Sequence, residues 1–287
     1  MSNSKFEFEV YPEALQEAAE LFPAIQLPAM PKLNNLLRGL RPREFTILCG
    51  GTGLGKTALL ATISVHLLKQ GVRQYIASVE TGHTDFMRRL FASLDGAKWM
   101  TGDPISAEDI RAFDAKYGEF FKKSMSVYSL QDSRIPIQEL KDDLALAIEK
   151  HGASVAILDN LNFFLEVSSA QNSLVEMDRV IHDLIVFCKQ HPIHIVMVMH
   201  PRKTDDGRVD SIYDIKGSST AVQEAHNVLL LNPAREEAYE LVKRASAVEV
   251  PQRFIRELTI AKSRRVGMNT GKKLVLYTTD GYKYLEA

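Results

Sequence analysis

Cysteine is scarce in this chain. There are two, Cys49 and Cys188, with no CxxC pair and no His/Cys cluster, so neither a disulfide framework nor a structural zinc is expected. Both sit in apolar patterns, as buried thiols in a reducing compartment do. Long hydrophobic runs are also missing. No stretch could span a bilayer, and the opening MSNSKFEFEV lacks the pattern of a secretory leader. A cytoplasmic protein with no membrane partner is therefore expected. Charge of one sign is not in excess either. The formal net charge is -1, so no global field draws the chain to nucleic acid, and any such contact must come from local basic patches. Repeats and low-complexity segments are absent, which excludes a solenoid.

What is present suits an ordinary globular α/β protein. Of 287 residues, 45% are hydrophobic and 25% charged, enough to bury one large core. Residues 1–31 read as an N-terminal segment: YPEALQEAAELF suggests an amphipathic helix near 12–22, and Pro23, Pro28 and Pro31 suggest a linker. From 32 to 287 the pattern is that of one domain. Strands are expected at 45–50, 75–80, 125–129, 155–161 and 194–200. Helices are expected at 56–70, 84–94, 106–123, from Pro136 to Gly152, and at 173–190. This alternation predicts a mostly parallel central sheet flanked by helices. The tail, NVLLL, FIRELTIAKS and KLVLYTTDGYKYLE, reads as strands with few helices between. Asp280-Gly281 gives a turn signal for a C-terminal β-hairpin extension.

The segment Gly50-Gly51-Thr52-Gly53-Leu54-Gly55-Lys56-Thr57 fits G-x-x-x-x-G-K-[ST] between an apolar strand and a helix, the context this phosphate-binding loop requires. Glycines let the backbone N–H groups turn toward phosphate, and the helix N-terminus adds positive potential. Lys56 is expected on the β- and γ-phosphates, and Thr57 on magnesium. The expected cofactors are thus ATP, or another NTP, with Mg²⁺. Asp159 ends the apolar run 155–158 and is a candidate second magnesium residue. Glu80 ends another strand and is a candidate general base for the attacking water. His200 ends a third and is a candidate reporter of the γ-phosphate. All four strand ends are expected at one crevice.

With these motifs in order, the chain resembles the RecA-core hexameric replicative helicases: the DnaB-like helicases, phage primase-helicases and Twinkle. The resemblance runs from about Leu33 to Lys273. LNNLLRGLRPREFTILCGGTGLGKT is similar to that family's entry segment and Walker A, SVET to the segment with its catalytic glutamate (Glu80), and ILDNL to its Walker B. HPRK is similar to the Twinkle form, with His200 at the γ-phosphate sensor. GSSTAVQEAHNVLLL resembles the fourth motif, with Gln223 at a matching nucleotide-site position. IAKSRRVGMNTG resembles the last motif. There the resemblance implies that Lys262 and Arg264 reach the neighbouring subunit's γ-phosphate, Arg264 as arginine finger with Arg265 as competitor. It also implies a homo-oligomer, a hexameric ring, in which the helix near 12–22 docks on a neighbour. A separate primase or loader is an implied partner.

In such a ring the loops after Asp159 and His200 face the central channel. The first, about 163–173, is nearly uncharged. The second, 202–217, carries Arg202, Lys203, Arg208 and Lys216 among four aspartates. Those four basic residues are the candidates for phosphate contact with single-stranded DNA, in a salt-sensitive and sequence-independent manner. Two functional readings follow. One is an NTP-driven helicase and translocase on single-stranded DNA in replication. The other is a non-translocating RecA-like ATPase acting as a regulatory or loading module.

Overall fold

The computed structural model describes residues 23–128, 136–160, 170–202, 208–216 and 219–287. The expected helix near 12–22 and the loop 163–169 lie outside these residues. The chain enters through an isolated bridge between Ile25 and Leu40, with Leu27 and Met30 buried in the core. Helix α1 (Pro31–Leu37) follows, with proline in its first turn. Its missing N–H costs nothing there, because the first-turn donors have no intrahelical partner.

Next come β1 (Phe45–Gly50), α2 (Lys56–Lys69), β2 (Gln74–Ser78), α3 (His83–Asp95), α4 (Ala107–Ser124) and β3 (Met125–Tyr128). They are followed by α5 (Ile137–His151), β4 (Val155–Asp159), α6 (Ala170–Gln190), β5 (His194–Met199), α7 (Ser219–Glu224) and β6 (Asn227–Pro233). The tail holds α8 (Glu236–Ala245), β7 (Ile255–Ser263), β8 (Lys273–Tyr277) and β9 (Leu285–Glu286). One nine-stranded sheet runs in the order β3-β2-β4-β5-β1-β6-β7-β8-β9. The six strands from β3 to β6 are parallel, and β7 to β9 add on antiparallel. The parallel strands are buried on both faces, so they read as continuous apolar runs rather than alternating ones. Two large apolar clusters cover the faces: one contains α5 and α6, the other α1, α2 and α3.

Local sequence explains the element ends. Helix α5 starts after Pro136 and stops at Gly152 in the left-handed conformation, where glycine carries no Cβ penalty. Strands β2 and β4 are shorter than expected, ending at Ser78 and Asp159. The N–H groups of Val79 and Glu80 turn to donate to the Asp159 carbonyl, at 2.8 and 3.3 Å, which closes the strand into a turn. Helix α8 lies in the tail, where mostly strands are expected. Its burial of Ala238 and Val242 has the i, i+4 spacing of an amphipathic helix.

His194 is fully buried at the start of β5. Its Nδ1 donates to the Arg41 carbonyl at 2.7 Å, and its Nε2 accepts from the Thr46 hydroxyl at 3.0 Å. These partners suit a neutral ring, and burial pushes its pKa down to about 4. An unfolded histidine titrates near 6.5, so between pH 6.5 and 4 the unfolded chain binds more protons, and stability is lost as the pH falls. The full effect of such a group is on the order of 3 kcal/mol. Denaturant unfolding at pH 7.5, 6 and 5 should show this loss, and His194→Gln should lose less stability across the same window.

Candidate active site

Strand β1 ends at Gly50, where an added Cβ would lie 2.6 Å from the Leu231 carbonyl of β6; only glycine allows that approach. The loop then curls into α2. Gly55, at φ +88°, is the residue before the helix. Lys56 is buried, and its ammonium donates to the carbonyls of Gly50 and Gly51 at 2.9 and 3.0 Å. The loop thus holds its own lysine through main-chain oxygens. Burial lowers the Lys56 pKa, opposed by the negative charges of Asp159 and Glu80.

Thr57 donates its hydroxyl to Asp159 Oδ2 at 2.8 Å, bridging the first turn of α2 to the end of β4. Asp159 is almost fully buried, and burial raises its carboxyl to about 6. Its other oxygen, Oδ1, is buried with no hydrogen-bond partner among the described residues. A buried carboxylate oxygen left open beside a threonine hydroxyl fits a magnesium ion or its bound water. Thr57 and Asp159 would hold it.

Glu80 and His200 meet here too, with Glu80 Oε2 3.3 Å from His200 Nε2. Burial and the nearby Lys56 charge lower the His200 pKa. Between them stands Asn160, which donates to Glu80 Oε2 and lies 2.9 Å from His200 Nε2. Sequence reasoning did not single out Asn160, although its place next to Asp159 at a strand end was the available signal.

A cavity of about 590 Å³ opens over this group, lined by the loop, Glu80, Thr81 and His200 on one side. Its other wall was not foreseen: Arg253, Phe254, Arg256, Thr278, Gly281 and Tyr284 come from the antiparallel tail. Arg256 Nε and the Tyr284 hydroxyl both donate to the Leu54 carbonyl, at 2.7 and 3.2 Å, clamping the phosphate loop from the tail. The volume suits a nucleotide. The expected turn at Asp280-Gly281 forms this rim: Asp280 Oδ1 accepts from the Thr278 hydroxyl and from the N–H groups of Tyr282 and Lys283.

Three other expected site residues gather elsewhere. Lys262 donates to the Gln223 carbonyl, and Arg264 Nη2 donates to the same oxygen at 2.9 Å. Burial, then the Arg264 charge, lowers Lys262 to about 8. Register fixes their distance from the phosphate loop. Ser263 pairs with Asn227, Asn227 pairs with Thr46, and the loop begins four residues later at Gly50. That is about 13 Å along the strand, so these cations sit at the opposite end of the sheet from their own chain's loop. A bulge where Val228 and Leu229 face Lys262 and Ile260 turns this end of β7, as bulges commonly re-aim side chains. Arg265 is also here, with Nε 3.5 Å from the buried Glu44.

Of the four basic candidates for nucleic acid, Lys203 lies outside the described residues. Arg202 and Lys216 are exposed on a stretch fastened to His200: the Lys216 N–H donates to the His200 carbonyl at 3.0 Å and the Arg202 N–H to the Asp214 carbonyl at 2.7 Å. Arg208 turns inward instead, donating to the Pro233 carbonyl at 2.6 Å and to Glu257 at 3.2 Å. Among the described residues, no helix is long and apolar enough to cross a membrane.

Comparisons with known proteins bear on the family and the fold. A family model described as an AAA domain matches residues 12–206. The structure of a DnaB-like replicative helicase, solved with its interactions with primase, superposes with a TM-score of 0.73 at 15% identity, covering 96% of this chain and 67% of that one. A second solved structure, an isolated ATPase domain, superposes with a TM-score of 0.73 at 16% identity, covering 98% of this chain and 100% of that one. These likenesses establish the fold: the RecA-type core expected from the motif order, with antiparallel strands at its C-terminal edge.

The clamp on the loop yields a test. A Cβ at Gly55 would lie 2.4 Å from the Tyr284 hydroxyl, at a φ that L-residues reach only with strain. Gly55→Ala should lower stability by about 1–3 kcal/mol and weaken nucleotide binding. Adding Tyr284→Phe should restore part of the stability, read by thermal unfolding with and without ATP.

Proposed function

The chain belongs to the AAA-domain family, and from that premise we propose that this P-loop NTPase is an ATP-driven translocase on single-stranded DNA, a replicative helicase motor working as a ring of identical subunits. One observation carries the reading: the phosphate loop and the pair Lys262 and Arg264 stand at opposite ends of one sheet. On this reading Lys262 and Arg264 serve a neighbour's site rather than their own. A neighbour presenting the far end adds these cations at the γ-phosphate, so hydrolysis is tied to contact between subunits.

On this reading, Lys56 leaves the carbonyls of Gly50 and Gly51 for the β- and γ-phosphates of ATP, and the loop N–H groups cradle them. Thr57 and Asp159 would hold magnesium, which would neutralise phosphate charge when bound. A water oxygen attacks the γ-phosphorus while the bond from that phosphorus to the bridging oxygen breaks. Glu80 takes the proton of the water, and Arg264 of the adjacent subunit stabilises the developing charge. Arg264 is favoured over Arg265 because the latter is paired with buried Glu44. Gln223 belongs with the trans cations, since its carbonyl holds both of them. His200 links nucleotide state to DNA: its own carbonyl anchors Lys216. Arg202, Lys203 and Lys216 are the phosphate contacts on this reading, and Arg208 serves the fold through Glu257. A separate primase or loader is a fitting partner.

Turnover measured with and without single-stranded DNA, alongside strand separation, tests the reading. Stimulation with unwinding is expected; hydrolysis indifferent to DNA would favour a non-translocating regulatory module. Glu80→Gln should bind ATP and turn over on the order of 10²-fold more slowly or worse. Arg264→Ala alone should lose roughly 10³-fold in rate. Mixing it with Lys56→Ala should recover activity that neither parent has, and no recovery in proven mixed rings would refute a trans arginine.

A further inference from the structure

Glu80 is about one-third exposed at its side chain, and a glutamate so placed has freedom to turn away from the water it must activate. Among the described residues, its carboxylate has two polar neighbours, Asn160 and His200. Asn160 is 2% exposed and meets both. Its amide nitrogen carries two hydrogens. One goes to Glu80 Oε2. The other points to His200 Nε2, 2.9 Å away, which must then be the unprotonated nitrogen of a neutral ring. The remaining glutamate oxygen, Oε1, is left for water.

We propose that Asn160 is a positioning residue for hydrolysis: its amide braces the Glu80 carboxylate against His200 and fixes the direction from which Glu80 meets the attacking water. This rests on Glu80 being the general base. The charged groups facing Glu80 are Lys56 from α2, Asp159 from β4, His200 beyond β5 and Arg89 of α3 on the cavity wall. Of these, His200 alone comes within 3.3 Å of the Glu80 carboxylate, and its Nε2, accepting from Asn160, has no proton to give it, so the orienting contact is the amide. Fixing a reacting group in a productive direction acts on the rate of the chemical step and not on ground-state binding. Asn160 therefore differs from Lys56, which acts on both.

A double-mutant cycle tests this. Single-turnover hydrolysis and the affinity for a fluorescent ATP analogue are measured for the native protein, Asn160→Ala, Glu80→Gln and the double variant, with unfolding midpoints alongside. Asn160→Ala should slow hydrolysis at least tenfold and change nucleotide affinity by less than twofold. In the Glu80→Gln background the same substitution should slow hydrolysis by less than twofold, because there is no base left to position. Asn160→Asp keeps the volume and removes the donor, so it should slow hydrolysis at least as much; it also serves if the alanine variant does not fold. An equal loss in both backgrounds, or a normal rate in either folded Asn160 variant, overturns the proposal. If instead Glu80→Gln hydrolyses at the native rate, the assignment of Glu80 as base fails, and the proposal falls with it.

Discussion

A lysine ammonium at a buried strand end needs oxygen around it, and in this chain the nearest oxygens are those of its own loop. The bonds from Lys56 to Gly50 and Gly51 set the shape of everything nearby. They go with a loop of little side-chain bulk, a helix that begins at the lysine itself, and a neighbouring strand, β6, close enough for Leu231 to lie against Gly50. They are also replaceable. The donor is charged in either case, but phosphate oxygens carry full charge where carbonyls carry partial charge, so the ammonium gains an ion–ion attraction on moving to phosphate. A nucleotide can therefore take the lysine from the loop without disturbing the core. The same holds for Thr57, whose hydroxyl now rests on Asp159 beside a carboxylate oxygen with no hydrogen-bond partner among the described residues.

The sheet spreads function over its two ends. At the carboxyl ends of β1, β4 and β5 stand the phosphate loop, Asp159 with Asn160, and His200. At the opposite end stand Lys262, Arg264 and the α7 carbonyl of Gln223 that holds them. The antiparallel tail joins the two. The start of β7 places Arg256 on the Leu54 carbonyl, its far end carries Lys262 with Arg264 just beyond, and the returning chain adds Tyr284 to the same carbonyl. Movement at one end of β7 has a rigid, hydrogen-bonded route to the phosphate loop at the other. Such a route is a spatial connection; coupling through it requires a two-state element that both ends bias.

Much of this was legible in the sequence, for reasons that differ by element. The phosphate loop was plain because its chemistry demands glycine, lysine and threonine at fixed spacing in a strand-to-helix turn. Asp159 was plain because a lone acid after four apolar residues marks a strand end. Helix α1 was hidden because Pro31 reads as a breaker, yet proline is favourable at a first turn. Helix α8 was hidden in a strand-rich tail. The second wall of the cavity was illegible for a deeper reason: Arg256 and Tyr284 touch the loop across more than 200 residues, and no local pattern encodes that contact. Arg208 illustrates the converse. As a residue type in a loop it looked like a phosphate contact, but Glu257, a buried acid on β7, draws it inward.

On the proposed reading, nucleotide binding depends on Lys56 exchanging loop carbonyls for phosphate. Titration calorimetry of magnesium-ATP into the native protein and into Lys56→Ala measures that exchange most directly. The native protein should bind one nucleotide per chain. The variant should still fold and should bind about 100-fold more weakly or worse, as expected when a buried charged contact is removed. Equal affinity in the two proteins would contradict the exchange.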